Sequence, residues 1–468
     1  YKLIKCDIYH IYIRYIGLLF WKLGYYLVMK RDIYKDLLSW KVSKSRKPLM
    51  LSGARQVGKT YILKQFAKAS YENYVYLNFE EKKDLCELFE GNIEPASILK
   101  SLSLYYDVKI HPGTTLIIFD EVQACPNALT SLKYFNEFAN EYHVVSAGSL
   151  LGVMMGQERG FPVGKVNILE LFPLSFFEFL HAARKGSLRE NLEQIDSIKD
   201  KLSEPIHNQL IEFLGVYFIT GGMPEVVKAY IDSEDLAEVR DIQLGLLKGY
   251  RADFAKYASS SEAEKIAMIW ESLPAQLARE NKKFSFKEVS NKARAREYMS
   301  SIQWLIDAGL VYKLSNVKRP NVPLKAYKNA DIFKLYCFDI GLLGAMCNLE
   351  PKLTLYKEEL FKFYKGAITE NYVLQELVSH KKKELGYWTS SGIAEVDFIC
   401  EFQSKVYPLE VKSGKRSKSK SLSEYFKKNA PPILSRTSQN NLAIDTNNIN
   451  YPLYLISRFP SPLIKDPS

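Results

Sequence analysis

The pattern of apolar and polar positions predicts a strand, a loop and a helix early in the chain. Residues 48–52 form a short apolar run suited to a buried strand. Residues 60–67 repeat their apolar positions with helical periodicity, which places Ile62, Leu63 and Phe66 on the inner face. We therefore expect a buried strand that leads through a loop into an amphipathic helix.

Three more runs predict further strands of the same unit. Residues 74–79 alternate as a strand does, residues 115–119 are a β-rich apolar run, and residues 143–149 form the next strand. Together with the helix, these strands predict an α/β fold.

The middle of the chain predicts mostly helices. Residues 185–204 are polar and charged, so we expect a linker or an exposed helix there. Residues 236–350 alternate helical patterns with short strands, and residues 285–314 predict two helices, a glycine hinge and a strand. This order is typical of a winged-helix module. Such modules bind DNA in some proteins and pack as inert lids in others, and we favour the lid.

Two strands near the C-terminus predict a hairpin with polar side chains on one face. Residues 395–402 alternate so that Asp397 lies on the polar face, and residues 406–412 place Glu410 and Lys412 together. In a hairpin, these three side chains can converge. The residues expected on the apolar faces are Val396, Phe398, Cys400 and Phe402 in the first strand and Tyr407, Leu409 and Val411 in the second.

The composition indicates a globular chain with several domains. A chain of 468 residues with 47% hydrophobic residues can form packed cores, and its length predicts about two to four domains. The net charge of +11 permits DNA, RNA or another acidic partner, although many basic proteins bind neither nucleic acid nor a membrane. The six cysteines show no C-x-x-C spacing, which favours reduced thiols and a cytoplasmic location.

The first 28 residues differ from the rest. Residue 1 is Tyr1 and the first methionine is Met29, so we interpret residues 1–28 as an extraneous translated extension. Their apolar patch at residues 16–21 is interrupted by Lys22, and it is much shorter than the about 20 residues that span a bilayer, so no membrane partner is expected. A helix that binds a membrane surface or a partner, and an ordered part of the fold, remain the alternatives.

Residues 53–60, GARQVGKT, match the phosphate-binding pattern G-x-x-x-x-G-K-[ST] completely. In this pattern the glycines let backbone N–H groups wrap a phosphate, while Lys59 reaches the β- and γ-phosphates and Thr60 ligates Mg²⁺. The pattern predicts that ATP or GTP binds here. The residues expected to contact the nucleotide in this region are Gly53, Gln56, Val57, Gly58, Lys59, Thr60 and Tyr61.

The strand at residues 115–119 runs into Asp120 and Glu121, which fits a Walker B motif. We expect Asp120 to hold Mg²⁺ and Glu121 to deprotonate the attacking water. A glutamate directly after the aspartate marks the branch of P-loop NTPases with a strand inserted between the two motifs, and residues 143–149 fit that strand. Its polar tip offers Ser146 or Ser149 as the γ-phosphate sensor; we choose Ser149, although a plain strand-end serine fits as well.

Several stretches, in this order, resemble AAA-class ATPases of bacteria and archaea that carry a C-terminal domain of unknown function: LSGARQVGKT, LIIFDEVQACP, AGSLLG, ELFPLSFFEFL and ITGGMPEVV. The resemblance runs from about Met29 to the C-terminus and implies a RecA-like αβα core that uses ATP. It implies that the Gly-x-Pro of residues 222–224 couples nucleotide state to domain position, although locally this turn is also a helix boundary.

One position departs from that family. Relatives usually carry Gly-Arg before the Pro-Leu-Ser-Phe stretch, whereas this chain has Gly164 and Lys165. A lysine cannot make the planar, bidentate phosphate contact of an arginine. A trans-acting arginine at this place is therefore in doubt, and Arg159 and Arg251 are the substitutes to consider.

The acids near the C-terminus resemble the restriction-endonuclease-like fold, named for its PD-(D/E)XK pattern. The resemblance implies that Asp397 and Glu410 bind Mg²⁺, that Lys412 positions water, and that Glu370 adds a further acid from a helix. The alternative is a salt-bridged strand face that holds no metal. The basic tract at residues 412–420 can hold phosphates, or it is a solvated loop.

These observations combine into one prediction of architecture and function. We expect an Mg²⁺-dependent ATPase coupled to a nuclease-like domain that acts on or binds nucleic acid; the alternative is a nucleotide-controlled switch with a non-cleaving interaction module. An oligomer is compatible with either. The predicted divisions are an extension at 1–28, the ATPase core at 29–185, a helical lid or linker at 186–235, a winged-helix-like region at 236–350 and the nuclease-like domain at 351–468.

Overall fold

A computed structural model of the chain describes residues 29–149, 151–155, 162, 164–197, 200–291, 293–350, 365–382, 384–412, 420–445 and 448–460. Outside these residues lie the extension at 1–28, Arg159 and most of the basic tract at 412–420.

The helices are α1 Ile33–Val42, α2 Lys59–Ser70, α3 Pro95–Tyr106, α4 Pro126–Phe138, α5 Leu151–Met155, α6 Phe176–Ala182, α7 Gly186–Glu193, α8 Glu204–Thr220, α9 Pro224–Ser233, α10 Leu236–Tyr257, α11 Ser260–Ala278, α12 Phe286–Val289, α13 Ala295–Asp307, α14 Ile340–Met346, α15 Lys365–Ser379 and α16 Lys420–Asn429. The strands are β1 Leu49–Ser52, β2 Asn73–Asn78, β3 Thr115–Asp120, β4 His143–Ala147, β5 Asn167–Glu170, β6 Val311–Val317, β7 Lys328–Cys337, β8 Leu385–Thr389, β9 Glu395–Phe402, β10 Lys405–Val411, β11 Leu434–Ser438, β12 Ala443–Asp445 and β13 Asn448–Pro452.

The N-terminal unit is built on a five-stranded parallel sheet with the order β2-β3-β4-β1-β5. Strand β4 lies between β1 and β3, where the sequence predicts an inserted strand. Alternate residues of β3 enter different cores: Leu116 and Ile118 pack with α1 and α2, and Ile117 and Phe119 pack with α3 and α4. Both faces are therefore covered by helices, as in an αβα core.

The middle and C-terminal parts of the chain share one eight-stranded sheet with the order β12-β13-β11-β10-β9-β8-β6-β7. Strands β6 and β7 form an antiparallel hairpin after α13, of which the sequence predicts only the first strand. However, β6 also pairs in parallel with β8 through Asn316 and Tyr387. The hairpin is thus no free wing, and the sheet continues across the predicted division between residues 350 and 351.

The predicted alternation of β9 is wrong in one respect. Val396 and Ile399 pack in a small cluster with α16, whereas Phe398 and Cys400 pack in the large core. The pairing of β8 with β9 contains a register shift in this region. A bulge adds one residue to a strand, so the residues beyond it change face. The period of two is therefore broken where the sequence indicates unbroken alternation.

Helix α15 joins the C-terminal part to the middle of the chain through buried polar contacts. Asn371 accepts from the backbone N–H of Cys337 at 2.8 Å and donates to the carbonyl oxygen of the same residue at 2.9 Å. The Gln375 side chain accepts from the Ile340 N–H at 2.9 Å and donates to the Tyr217 hydroxyl at 2.8 Å. These bonds satisfy the buried backbone groups of Cys337 and Ile340 and the Tyr217 hydroxyl, so they fix α15 against α8 and the start of α14.

Glu376, also on α15, makes stability depend on pH. Its Oε1 accepts from the Phe176 N–H at 2.9 Å, and burial raises the pKa of Glu376 from its ordinary 4.5 to about 8. The folded protein therefore holds a proton that the unfolded chain releases, and this stabilisation is lost as pH rises from 4.5 to 8.

We expect the Glu376→Gln variant to gain stability relative to wild type as the pH rises. The amide keeps the acceptor for Phe176 and never ionises, so the relative gain between pH 5 and pH 8 should be about 1 to 3 kcal/mol in the free energy of unfolding. Urea unfolding at both pH values measures it. A difference between variant and wild type that is the same at both pH values would contradict the shift.

Within the described part of the chain, no helix has both the length and the apolar character needed to cross a membrane.

Candidate active site

The loop at residues 53–60 connects β1 to α2 in the conformation that the sequence predicts. Gly58 has a positive φ of 96° and directly precedes α2, a backbone conformation that glycine adopts without strain. The free N–H groups at the start of this helix favour negative charge. Of the predicted nucleotide contacts, Val57 is buried, whereas Gln56 and Tyr61 are exposed.

Lys59 is buried within the loop, with only 6% of its surface exposed. Its ammonium group donates to the carbonyl oxygens of Gly53 at 2.9 Å and Ala54 at 2.8 Å. Burial lowers the pKa of Lys59 to about 8, and the charges of Glu121 and Asp120 oppose that shift. The lysine thus lies at the loop with both acids within electrostatic reach.

Asp120, at the end of β3, lies against the start of α2. Its Oδ2 accepts from the Thr60 hydroxyl at 2.7 Å and from the Tyr76 hydroxyl at 2.7 Å. A hydroxyl and a carboxylate are hard oxygen donors of the kind that Mg²⁺ prefers. Thr60 and Asp120 therefore fit the predicted metal site. Tyr76, the fourth residue of β2, was not predicted.

Glu121 follows Asp120 in the left-handed conformation, with a φ of 49°. Its Oε2 accepts from Gln123 Nε2 at 2.6 Å and from the Ser149 hydroxyl at 3.5 Å. The hydroxyl of Ser146 instead donates to the Leu49 carbonyl at 3.2 Å, away from Glu121. Of the two serines that the sequence offers, Ser149 is therefore the one beside the predicted general base. Gln123, which holds Glu121, was missed.

Arg31 is a third residue that the sequence does not single out. Only 5% of the surface of Arg31 is exposed. Its guanidinium group donates to the Val57 carbonyl at 2.9 Å, the Phe172 carbonyl at 2.6 Å and Glu178 Oε1 at 3.1 Å. The N-terminal segment is thereby tied to the phosphate-binding loop. No local pattern around Arg31 indicates this contact, because all its partners are distant in sequence.

The Gly-x-Pro turn at residues 222–224 lies against the same loop. A Cβ atom placed on Gly58 would be 3.6 Å from Pro224 Cγ. The N–H of Gly222 donates to Asp339 Oδ2 at 2.7 Å, and its carbonyl accepts from the Leu174 N–H at 2.7 Å. The turn therefore contacts the nucleotide-binding loop on one side and the start of α14 on the other.

Two of the residues considered at the place of a trans-acting arginine form ion pairs. Lys165 forms an ion pair with Glu137 Oε1 at 2.9 Å. Arg251 forms an exposed ion pair with Glu271 on α11.

The C-terminal acids come together from the elements that the sequence predicts. Glu370 lies on α15, Asp397 on β9 and Glu410 on β10. Asp397 Oδ2 accepts from the Val411 N–H at 2.7 Å, and Lys412 Nζ lies 2.6 Å from Glu410 Oε1. Burial raises the pKa of Asp397 well above its ordinary value, and the nearby charges of Glu370 and Glu410 raise it further.

Two lysines from the middle region also enter this acid cluster, and the sequence gives no indication of them. Lys282 forms an ion pair with Glu370, and Lys334 pairs with Glu395 and lies 4.0 Å from Glu370 Oε2. Lys334 is 1% exposed. Burial alone would lower the pKa of Lys334, but Tyr336 and the surrounding acids raise it well above its ordinary value. In the described residues, no three His, Cys, Asp or Glu side chains are grouped so that they could hold a metal ion.

Three family models match parts of the chain. The model described as an AAA domain matches residues 45–180. Two models described as domains of unknown function, DUF8612 and DUF4143, match residues 212–353 and 365–456. The first match covers the phosphate-binding loop, Asp120 and Glu121, so these residues lie in an ATP-binding P-loop ATPase domain. A C-terminal domain of unknown function is present, as the sequence resemblance implies.

Comparison with solved structures gives only weak likenesses. The Walker-type ATPase PABY2304 of Pyrococcus abyssi is 12% identical, with a TM-score of 0.43 over 68% of this chain and 96% of that one. The Aeropyrum pernix Orc1 protein in complex with DNA is 11% identical, with a TM-score of 0.28 over 70% and 95%. AMPPCP-bound DnaA from Aquifex aeolicus is 15% identical, with a TM-score of 0.26 over 59% and 85%. TM-scores this low carry no argument about function. No curated protein matches the chain.

Proposed function

We propose that this chain hydrolyses ATP with Mg²⁺ at the site formed by Lys59, Thr60, Asp120 and Glu121. The observation that carries the proposal is the 2.7 Å contact between the Thr60 hydroxyl and Asp120 Oδ2, with Glu121 directly beside it. It brings the phosphate-binding loop and the end of β3 together, as phosphoryl transfer to water requires. The AAA-domain match over residues 45–180 supports the same assignment.

Each residue then has a defined task. The backbone N–H groups of the loop and the ammonium group of Lys59 bind the phosphates and neutralise their charge. Thr60 and Asp120 would hold the magnesium ion, which when bound neutralises charge on the phosphate oxygens. Glu121 orients a water molecule and accepts its proton at a carboxylate oxygen. Gln123 donates to that carboxylate and limits its rotation.

Nucleotide turnover by the purified protein tests this function. We expect phosphate release from ATP that stops when Mg²⁺ is removed with a chelator and returns when it is restored. Parallel assays with GTP, DNA and RNA show which base is preferred and whether nucleic acid stimulates turnover. Absence of phosphate release from both nucleotides under all these conditions would contradict the proposal.

For the C-terminal domain, we propose the non-cleaving, nucleotide-controlled role rather than nucleic-acid cleavage. The favouring observation is that Lys282 and Lys334 both approach Glu370, the helix acid of the predicted set, and that Lys412 pairs with Glu410. Burial and the charges of Glu370 and Glu410 raise the pKa of Asp397, which opposes the charged form that a cation would bind. The residues present therefore do not fit a divalent metal in this arrangement, although helix, antiparallel strands and acids follow the order of the nuclease-like pattern.

The contacts between the two sites support control by nucleotide. Pro224 packs near the phosphate-binding loop, and Asp339 joins the same turn to α14. Gln375 then joins α14 to α15, the helix that carries Glu370. A change at the loop can thus reach the acid cluster through buried, fully bonded segments. We propose DNA or RNA as the partner on the basis of the net charge of +11.

We expect the wild-type protein to cleave neither DNA nor RNA with Mg²⁺ or Mn²⁺. The Asp397→Asn variant should fold with at least wild-type stability, because the amide keeps an acceptor for Val411 and carries no charge near Glu370 and Glu410. Gel assays of cleavage and thermal unfolding measure the two expectations. Cleavage by wild type that is lost in Asp397→Asn would instead establish the nuclease.

A further inference from the structure

Arg55, within the phosphate-binding loop, is a cation that the proposed catalytic set does not use. Its side chain is 40% exposed, so a ligand can reach the guanidinium group. The charge of Arg55 interacts with the charge of Lys59, in the phosphate-binding loop, and with the charge of Glu121, which follows β3. The guanidinium group is therefore within electrostatic reach of the predicted general base.

The end of helix α10 covers this side of the site. Arg55 forms an ion pair with Asp253, whose side chain is only 12% exposed. The Tyr250 hydroxyl, one turn earlier, donates to the Arg55 carbonyl oxygen at 2.9 Å. One turn later, Lys256 pairs with Glu80 and the Tyr257 hydroxyl donates to Glu80 at 3.3 Å. The last turns of α10 thus contact both the phosphate-binding loop and the loop that follows β2.

Asp253 is a replaceable partner for Arg55. Burial raises the pKa of Asp253, and the charge of Arg55 opposes that shift, so the ion pair keeps a poorly solvated carboxylate charged. A phosphate offers the same planar cation more negative charge and more acceptor oxygens than a single carboxylate. Competition between the two acceptors is therefore expected wherever a terminal phosphate comes within reach.

We propose that Arg55 binds the γ-phosphate of ATP from within its own chain, and that it exchanges Asp253 for that phosphate when ATP binds. This inference rests on the proposed ATPase function. ADP lacks the γ-phosphate, so it leaves the pair of Arg55 with Asp253 in place. ATP separates the Arg55 side chain from Asp253, and hydrolysis restores the ion pair. Arg55 thereby supplies in cis the cation that Lys165 does not provide.

The affinities of ATP and ADP, measured by titration calorimetry with Mg²⁺, test this exchange. Arg55→Ala should weaken ATP binding by about tenfold and change ADP binding by less than about twofold. Asp253→Asn should strengthen ATP binding by about threefold, since Arg55 no longer has to leave a carboxylate. The two variants therefore move ATP affinity in opposite directions.

If the ion pair of Arg55 and Asp253 only stabilises the fold, a different result is expected. Loss of either partner would then change ATP and ADP affinity equally, or in the same direction, and that outcome would overturn the proposal. Lys228→Ala, which removes an exposed lysine paired with Asp232 on α9, is the matched control and should change neither affinity. Arg55→Lys keeps the charge and should recover part of the ATP affinity, so it replaces Arg55→Ala if that variant does not fold.

The same binding measurements distinguish failure of the Arg55 proposal from failure of the proposed ATPase function. If wild type binds both nucleotides and Arg55→Ala binds them as wild type does, the ATPase assignment stands and the role of Arg55 is refuted. If wild type binds neither nucleotide, both proposals are overturned.

Discussion

ATP turnover falls by about a hundredfold or more when Glu121 is replaced by Gln, while ATP binding is retained. The amide has nearly the same shape as the carboxylate and cannot accept a proton from water. Lys59, Thr60 and the loop are unchanged, so the phosphates remain bound. Phosphate release at saturating ATP measures the first effect, and calorimetry with ATP measures the second.

Two variants control for this result. Gln123→Ala leaves Glu121 in place without its 2.6 Å donor, so we expect a smaller loss of turnover. Glu137→Gln makes the same change of carboxylate to amide at an exposed residue that pairs with Lys165, and turnover should stay at the wild-type value. Turnover of Glu121→Gln within about twofold of wild type would show that Glu121 is not the general base.

The free energy of unfolding falls by about 3 kcal/mol when Arg31 is replaced by Met. The variant leaves Glu178 charged and buried without its cation, and the Val57 and Phe172 carbonyl groups lose their donor. Glu178 still accepts from the Asp32 N–H at 2.6 Å and the Ser175 N–H at 3.0 Å, which limits the loss. Urea unfolding followed by circular dichroism measures it.

The matched control is Lys381→Met, which breaks an exposed ion pair with Asp36. Exposed pairs contribute about 0 to 1 kcal/mol, so this variant should unfold close to wild type. The double variant of Arg31→Met with Glu178→Gln should recover part of the lost stability, because no unpaired charge stays buried. An Arg31→Met variant as stable as Lys381→Met would show that the buried network does not hold the loop.

Local patterns account for what the sequence could predict. The phosphate-binding loop, its flanking strand and helix, and the strand that ends in Asp120 are each encoded within about ten neighbouring residues. Helix periodicity placed Ile62, Leu63 and Phe66 inside, and all three are buried. The position of β4 between β1 and β3 followed from one more local feature, the glutamate directly after Asp120.

What the sequence could not predict depends on contacts between distant residues. Arg31 meets Glu178 across 147 positions, and Arg55 meets Asp253 across 198. Neither partner carries a local signal, because a single charged residue fits an exposed surface equally well. Lys334 reaches the C-terminal acids for a similar reason: β6 pairs with β8, and this places the adjacent β7 near elements far along the chain. A bulge, likewise, leaves no mark in an alternating sequence.

The central claim, that ATP binds at the loop of residues 53–60, is tested most directly by calorimetry with a non-hydrolysable ATP analogue and Mg²⁺. Wild type and Lys59→Ala are compared, because Lys59 is the buried cation of the loop and its removal leaves the helix start intact. We predict saturable binding of one nucleotide per chain in wild type and binding at least about a hundredfold weaker in Lys59→Ala. Equal binding by both proteins, or none by wild type, would contradict the account.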